Sequence, residues 1–432
     1  MTTLRVHPGG PLHGETRLPG DKSLSHRAVL FGALAEGESR IHGFLPANDC
    51  QATVACVRAL GVDVVEYDAT TLSVRGRGLR GRQPPPVPLD CARSGTTLRL
   101  LAGVLAGRPF DSVLTGDPQL LRRPMRRITV PLRAMGARID DTDGHAPLVI
   151  HGGRLHGAEH TLRIASAQVK RALLLAGLTA DGATTVHQPG PARDHTERLL
   201  QAMGADLTVD GLSVTLRPSP LQPLTFHVPG DLSSAAFLLV AATLLPGSEV
   251  TVRGVGLNPT RTGLLDVLTA MGAEITVSPK GKDAGEPLGD LTVQSAALRG
   301  AVIEGATVVR MIDEFPALAV AATQATGTTV VREAAELRVK ETDRIAVVVD
   351  EVRTLGARIE ARPDGFVVEG PTRLHGGVVD SHGDHRLAMA LTVAGLLADA
   401  PVVVRNTACI ADSFPGFVDV MTRLGAALAS MD

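Results

Sequence analysis

The phrase Leu/Met-Gly followed by Ala or Val recurs six times, and no other feature of the sequence constrains the fold as strongly. The copies centre on Gly61 (RALGVDVVE), Gly136 (RAMGARIDD), Gly204 (QAMGADLTV), Gly272 (TAMGAEITV), Gly356 (RTLGARIEA) and Gly425 (TRLGAALAS), at intervals of 75, 68, 68, 84 and 69 residues. Each reads as a helix that ends on a glycine in the left-handed conformation, which only Gly adopts cheaply. A strand of alternating polarity follows in most copies. The long interval holds SPKGKDAGEPLGD, a polar Gly- and Pro-rich stretch that reads as a loop insertion.

A second sixfold pattern interleaves with the first. Ala- and Leu-rich helical stretches start near Asp21, Ser94, Ser166, Asp231, Asp313 and Asp384. They are apolar nearly all round, the mark of buried helices. Each unit of roughly 70 residues therefore holds a buried helix, an amphipathic helix and several strands, longer than the period of a solenoid. Six such units predict an α/β (α+β) chain of two globular domains with three units each. The two halves meet near VPGD, Val228 to Asp231.

Candidate chemistry gathers where the buried helices begin. Helix N-termini offer unpaired N–H groups and the positive end of the macrodipole, both suited to phosphate or carboxylate. These starts carry Lys22, Ser23 and Arg27; Ser94, Gly95, Thr96, Thr97 and Arg99; Ser166, Gln168 and Lys170; and His385 with Arg386. Ser, Thr and Asp are ordinary caps. A cation in a first turn is not, because it opposes the dipole unless an anion lies nearby.

Three further clusters point the same way. LLRRPMRR (Leu120 to Arg127) sets four arginines around Pro124, and MIDEFP sets Asp313 and Glu314 at a helix start. ELRVKETDRI (Glu336 to Ile345) alternates so that Arg338, Lys340 and Thr342 would share a strand face, unless a turn follows. Lysine is scarce, with five (Lys22, Lys170, Lys280, Lys282, Lys340) among 43 Lys+Arg. Each one therefore marks a place where a compact ammonium is worth testing for. Many cations beside a few carboxylates imply substrates with several negative charges and acid–base work next to them.

The composition removes other classes. Against 45 Asp+Glu the net charge is −2, with nine Phe, one Tyr and no Trp, so a nucleic-acid surface with stacking platforms is not expected. Neither a Walker loop nor GxGxxG occurs. The four cysteines form no CxxC and no metal spacing, so no disulfide framework or metal site is expected. No apolar run is long enough to span a membrane, and MTTLRVHPGG lacks a signal core. A soluble cytoplasmic protein is the expectation.

From LPGDKSLSHRA (Leu18 to Ala28) onward, the sequence resembles the 5-enolpyruvylshikimate-3-phosphate synthase family of enolpyruvyl transferases. The likeness continues through SGTTLRLL, LRRPM, SAQVKRALLLAG, RDHTERLL, VPGDLSSAAF, VGLNPTRTG, IDEFP, ELRVKETDRI, GDHRLAMA and SFPGF, essentially end to end. It implies a two-domain clamshell, each domain three βαβαββ-like units in an inside-out α/β barrel. Residues 1–20 would join 230–432 in one domain, and residues 21–229 would form the other.

The implied reaction moves the enolpyruvyl group of phosphoenolpyruvate to the 5-hydroxyl of shikimate 3-phosphate, releasing phosphate, in the shikimate pathway to chorismate and the aromatic amino acids. By the same resemblance Lys22, Ser23, Arg27, Ser166, Gln168, Asp313 and Lys340 would hold shikimate 3-phosphate. Lys22, Gly95, Arg123, Gln168, Arg344 and Arg386 would hold phosphoenolpyruvate. Asp313 would accept the hydroxyl proton, and Lys22 and Glu341 are candidates for proton transfer at the methylene carbon. No metal or organic cofactor is implied, the expected state is a monomer, and glyphosate is an implied inhibitor.

Departures from the family pattern stand at Arg93, Leu100 and Ala192, where Asn, Pro and Ser are common, and at Asp412, near where some members carry a Lys. The alternative is the enolpyruvyl transferase that acts on UDP-N-acetylglucosamine in cell-wall synthesis. That relative carries a Lys-Asn pair and a loop cysteine, where this chain has Lys22-Ser23 and no cysteine near LRRPM. A non-catalytic anion-binding module is disfavoured by Asp313, Lys340 and Glu341 occurring together.

Overall fold

The structure, a computed structural model, describes residues 2–81 and 83–431. The chain divides into two compact units. The inserted unit comprises Gly20–Val228 and Lys282–Glu286, and the terminal unit comprises Met1–Pro19, Pro229–Gly281 and Pro287–Asp432. The five-residue visit at Lys282–Glu286 is additional to the two-way division read from the sequence.

Among the described residues each unit carries three four-stranded sheets, and the six share one plan. An outer strand runs parallel to its neighbour, and the remaining pairs run antiparallel. In the inserted unit, Leu89–Asp90 pairs parallel with Ser112–Thr115, which pairs antiparallel with His145–His151 and through it with Arg138–Thr142. Between these strands lie the buried helix Gly95–Leu105 and the amphipathic helix Arg126–Ala134. That order is the βαβαββ unit implied by the family resemblance, and it contains the buried helix, amphipathic helix and strands read from the repeats.

Two sheets take strands from distant sequence. Thr225–His227 closes the sheet of Glu36–His42. Thr3–Val6 sits between Val402–Arg405 and Leu428–Met431, completing the last repeat with the start of the chain.

All six repeat glycines adopt positive φ, from 79° at Gly61 and Gly204 to 114° at Gly425. An L side chain is strained there, which explains why the phrase is so regular.

The helices that position chemistry are, in the inserted unit, α1 (Lys22–Leu34), α2 (Asn48–Ala59), α3 (Gly95–Leu105), α4 (Ala167–Gly177) and α5 (His195–Ala202). In the terminal unit they are α6 (Leu232–Leu244), α7 (Phe315–Gln324), α8 (Arg344–Thr354) and α9 (His385–Leu397). Helices α6, α7 and α9 pack on one another, and each lies against its own sheet. In the inserted unit α3 packs on α1 and α4 in the same way. Each unit has a separate apolar core. No helix among the described residues is long and apolar enough to cross a membrane.

Two expectations change. SPKGKDAGEPLGD is not a loop: it forms most of a hairpin, Glu274–Asp283 with Glu286–Gln294, turning at Ala284-Gly285. The extra residues of the long interval are strand length. ELRVKETDRI is not a strand either. Ala335–Val339 is a 3₁₀ turn, Lys340 to Asp343 is irregular, and α8 starts at Arg344.

Candidate active site

In the inserted unit three buried helices present their N-termini. Asp21 caps α1, accepting from Leu24 N at 2.9 Å, and Ser94 caps α3, accepting from Thr97 N at 3.1 Å. Those two are ordinary caps in the sense expected. Ser166 precedes α4 but makes no side-chain cap bond. Its hydroxyl is thus not committed to the helix.

Lys22 is the first residue of α1, and its ammonium lies 3.0 Å from Asp49 of α2. Asp49 answers the unfavourable dipole, and sequence reasoning did not find it. Its only signal was a carboxylate in the first turn of the next helix, NDCQ. Arg27 is fully buried. Its Nε donates to Thr196 Oγ1 at 3.0 Å and its Nη1 donates to the Ser23 carbonyl. Burial pushes the Arg27 guanidinium down to about 10, against the pull of Asp21, Glu197 and Glu286.

Gly95 opens α3 with two guanidinium groups over it. A Cβ there would lie 2.7 Å from Arg99 Nη1 and 2.8 Å from Arg123 Nη1, so this glycine is needed for close approach. A buried polar chain links the helix starts. His26 Nδ1 to Thr53 Oγ1 is 2.7 Å, Thr53 Oγ1 to Thr97 Oγ1 is 2.7 Å, and Thr97 Oγ1 donates to Ser94 Oγ at 2.8 Å. Burial, reinforced by Lys22, Arg27 and Arg171, holds the His26 imidazole well below its usual range. Gln168, half-buried, stands in the first turn of α4.

The terminal unit gathers Asp313, Lys340, Glu341, Arg344 and Arg386 into one network. Arg344 is 1% exposed. Its Nε lies 2.8 Å from Asp384 Oδ2, its Nη2 2.7 Å from Glu341 Oε2 and its Nη1 3.4 Å from Asp313 Oδ1. Burial works to lower its pKa, but Asp384 and Glu341 outweigh that and hold it above the usual arginine value.

Asp313 also has Lys340 Nζ at 3.8 Å and Arg386 Nη2 at 3.8 Å, so three cations surround one carboxylate. Burial pulls the Lys340 ammonium below its ordinary value, with Asp313 opposing. Asp384 serves twice, accepting from Arg386 N at 2.9 Å as the cap of α9 while pairing with Arg344. It was legible only as a cap. Glu314, buried beside Asp313, has Arg386 Nη1 at 4.0 Å and accepts from Ser233 Oγ. Of the twelve residues expected at the site, eleven stand at helix starts or the loops beside them and Arg27 stands in the second turn of α1, seven in one unit and five in the other.

The model of the family described as EPSP synthase (3-phosphoshikimate 1-carboxyvinyltransferase) matches residues 6–421. The chain belongs to the EPSP synthase family.

A relative from Desulforudis audaxviator, named 3-phosphoshikimate 1-carboxyvinyltransferase, is 53% identical over 98% of this chain and 99% of its own. One of the same name from Halorhodospira halophila is 54% identical over 98% and 96%. Among solved structures, EPSP synthase from Acinetobacter baumannii superposes with a TM-score of 0.90 at 41% identity, covering all of both chains. The enolpyruvyl transferase NikO from Streptomyces tendae shares the fold, with a TM-score of 0.82 at 21% identity.

Within an EPSP synthase family member, two of the departures acquire a physical account. Arg93 Nε donates to Gln119 Oε1 at 2.8 Å and lies 3.5 Å from Asp117, on the segment that leads to Arg123. At Ala192 it is the carbonyl that is used, accepting from Lys170 Nζ at 3.4 Å. Leu100 is a core residue of α3. Nothing in the structure explains Asp412 in place of a cation.

Proposed function

We propose that the two clusters divide the labour of the family's reaction, the transfer of the enolpyruvyl group from phosphoenolpyruvate to the 5-hydroxyl of shikimate 3-phosphate. The single observation that carries this is Asp313, a carboxylate with three cations within 4 Å, in a chain that belongs to the family over nearly its whole length. A cell-wall role on a UDP-amino sugar is not favoured.

In this reading Lys22, Ser23, Arg27, Ser166 and Gln168 bind shikimate 3-phosphate, helped by Asp313 and Lys340. Lys22, Gly95, Arg123, Gln168, Arg344 and Arg386 take the carboxylate and phosphate of phosphoenolpyruvate, the pairing that forked guanidinium groups suit. Those anions compete for Arg344 and Arg386, so phosphoenolpyruvate frees Asp313 from part of its cationic surroundings and makes it the stronger base.

The 5-hydroxyl oxygen then attacks C2 while Asp313 takes its proton and C3 gains one, giving a tetrahedral intermediate. Loss of phosphate and of a C3 proton restores the double bond. Lys22 and Glu341 are the groups assigned to the C3 proton. A lysine whose ammonium is easily shifted suits such a task, and an arginine does not.

The enzyme is proposed to act as a cytoplasmic monomer, with glyphosate as the inhibitor to test. The deciding assay is phosphate release from the purified protein. Release should need shikimate 3-phosphate and phosphoenolpyruvate together, and release with UDP-N-acetylglucosamine in place of the shikimate ester would overturn the reading.

A further inference from the structure

The hairpin Glu274–Asp283/Glu286–Gln294 starts and ends in the terminal unit, yet its tip, Lys282–Glu286, belongs to the inserted unit. Contacts of three kinds hold the tip there: a buried pair, a bond to its backbone and a bond to the Asp283 side chain. Glu286 Oε1 lies 2.8 Å from His195 Nδ1, with the two side chains 2% and 3% exposed. Arg198 Nη1 donates to the Gly285 carbonyl at 2.8 Å, and the His227 backbone N–H donates to Asp283 Oδ2 at 3.1 Å. A carboxylate buried this deeply is costly unless its partner is well placed, so the His195 contact is a built one.

His195 is the first residue of α5, and the next two residues reach the proposed substrate helices. Thr196 Oγ1 accepts from Arg27 Nε at 3.0 Å, with both residues fully buried. Glu197 Oε1 lies 2.5 Å from Lys170 Nζ, with side chains 4% and 1% exposed. Consecutive helical residues point about 100° apart, so one turn addresses the hairpin tip, α1 and α4 at once. Lys170 sits one turn beyond Ser166, whose carbonyl accepts its backbone N–H at 3.1 Å. Glu286 also acts electrostatically on Arg27, with Asp21 and Glu197, against the effect of burial.

We infer that Glu286 is a positioning residue for the shikimate 3-phosphate cluster: paired with His195 it fixes the first turn of α5, and that turn holds Arg27 through Thr196 and the Lys170 turn of α4 through Glu197. The inference rests on the reading that Arg27, Ser166 and Gln168 hold that substrate. None of Glu286, His195, Thr196 and Glu197 needs to touch it.

Steady-state kinetics of the full-length enzyme test this with Glu286→Ala, Glu286→Gln, Thr196→Val and Arg27→Ala. Glu286→Ala should raise KM for shikimate 3-phosphate about tenfold, with kcat and the KM for phosphoenolpyruvate within about twofold. Glu286→Gln keeps an oxygen for His195 and should recover most of the loss. Thr196→Val should raise the same KM, and the double variant should fall short of the product of the two effects, because they act through one turn.

An unchanged KM in Glu286→Ala while Arg27→Ala raises it would overturn the inference and leave the substrate reading standing. An unchanged KM in Arg27→Ala would overturn both. Equal losses in kcat and in both KM values, with no recovery in Glu286→Gln, would make the residue merely structural and also defeat the proposal. If Glu286→Ala does not fold, His195→Ala removes the same pair from the other side; it should raise the same KM, and an unchanged value would overturn the inference.

Discussion

Arg344 in the terminal unit meets Asp384, Glu341 and Asp313 within 3.4 Å, whereas in the inserted unit Lys22 meets Asp49, and Arg99 and Arg123 crowd over a glycine. The first cluster is a closed ion network whose cations are answered by carboxylates of the same unit. The second sets Lys22, paired with Asp49, and Gly95 at the first residues of α1 and α3, with the Arg99 and Arg123 guanidinium groups over Gly95, so the helix dipoles add to the positive field there. The difference teaches how one protein can both bind a polyanion and activate a hydroxyl. In the proposed reading, the cations of the inserted unit take phosphate, and the terminal network keeps the Asp313 carboxylate at hand as base.

The contrast can be broken by experiment. Asp313→Asn keeps the shape of the terminal network but removes the base. Turnover should fall by about 10²–10⁴ while the dissociation constant for shikimate 3-phosphate, measured by calorimetry, changes far less. Matching losses in both would return Asp313 to a purely structural role.

Next come the cations. Arg344→Met leaves the buried Asp384 carboxylate without its charge partner, so denaturant unfolding should show a loss of about 3–5 kcal/mol. Lys22→Met should cost about 1 kcal/mol in the same measurement, because its pair with Asp49 is partly exposed, yet raise the KM for substrate sharply. Equal stability losses would erase the distinction between the two clusters.

A smaller effect sharpens the cationic side. Gly95→Ala puts a methyl where the Arg99 and Arg123 guanidinium groups now stand, and these side chains must withdraw. The KM for phosphoenolpyruvate should rise about tenfold, more than that for shikimate 3-phosphate. If both constants stay at wild-type values, Arg123 does not contact that substrate.

The last effect concerns acid. His26 stays neutral in the fold, while in the unfolded chain it takes up a proton below about pH 6.5. The unfolded state therefore binds more protons, and stability falls as pH drops below that value, by up to about 1.4 kcal/mol per pH unit. His26→Asn should flatten the slope between pH 6.5 and 5 in pH-dependent unfolding. An unchanged slope would place the acid sensitivity elsewhere.

Much of this was readable from residues alone, for reasons that lie in the backbone. Gly61, Gly136, Gly204, Gly272, Gly356 and Gly425 mark helix ends because the left-handed position admits few other residues, and Asp21, Ser94, Asp231 and Asp384 mark starts because orphan N–H groups require acceptors. The partners of the cations were not readable. Asp49 and Asp384 earn their roles only when another helix, 27 or 40 residues away, brings a charge to them. The hairpin was missed because its first strand lies almost wholly in solvent at a sheet edge. Nothing there imposes alternation, and Pro and Gly are tolerated. Glu286 was hidden with it.

The placement of Thr3–Val6 between Val402–Arg405 and Leu428–Met431 has a consequence for how the molecule is made. At about 5–20 residues per second, Thr3–Val6 waits on the order of 20–80 s after leaving the ribosome for its neighbours to be synthesised. Meanwhile the helices and sheets of residues 20–228 are complete in sequence, save for a carboxylate delivered when residue 286 emerges. The nascent chain thus holds one half nearly finished while the other half, begun first, assembles last.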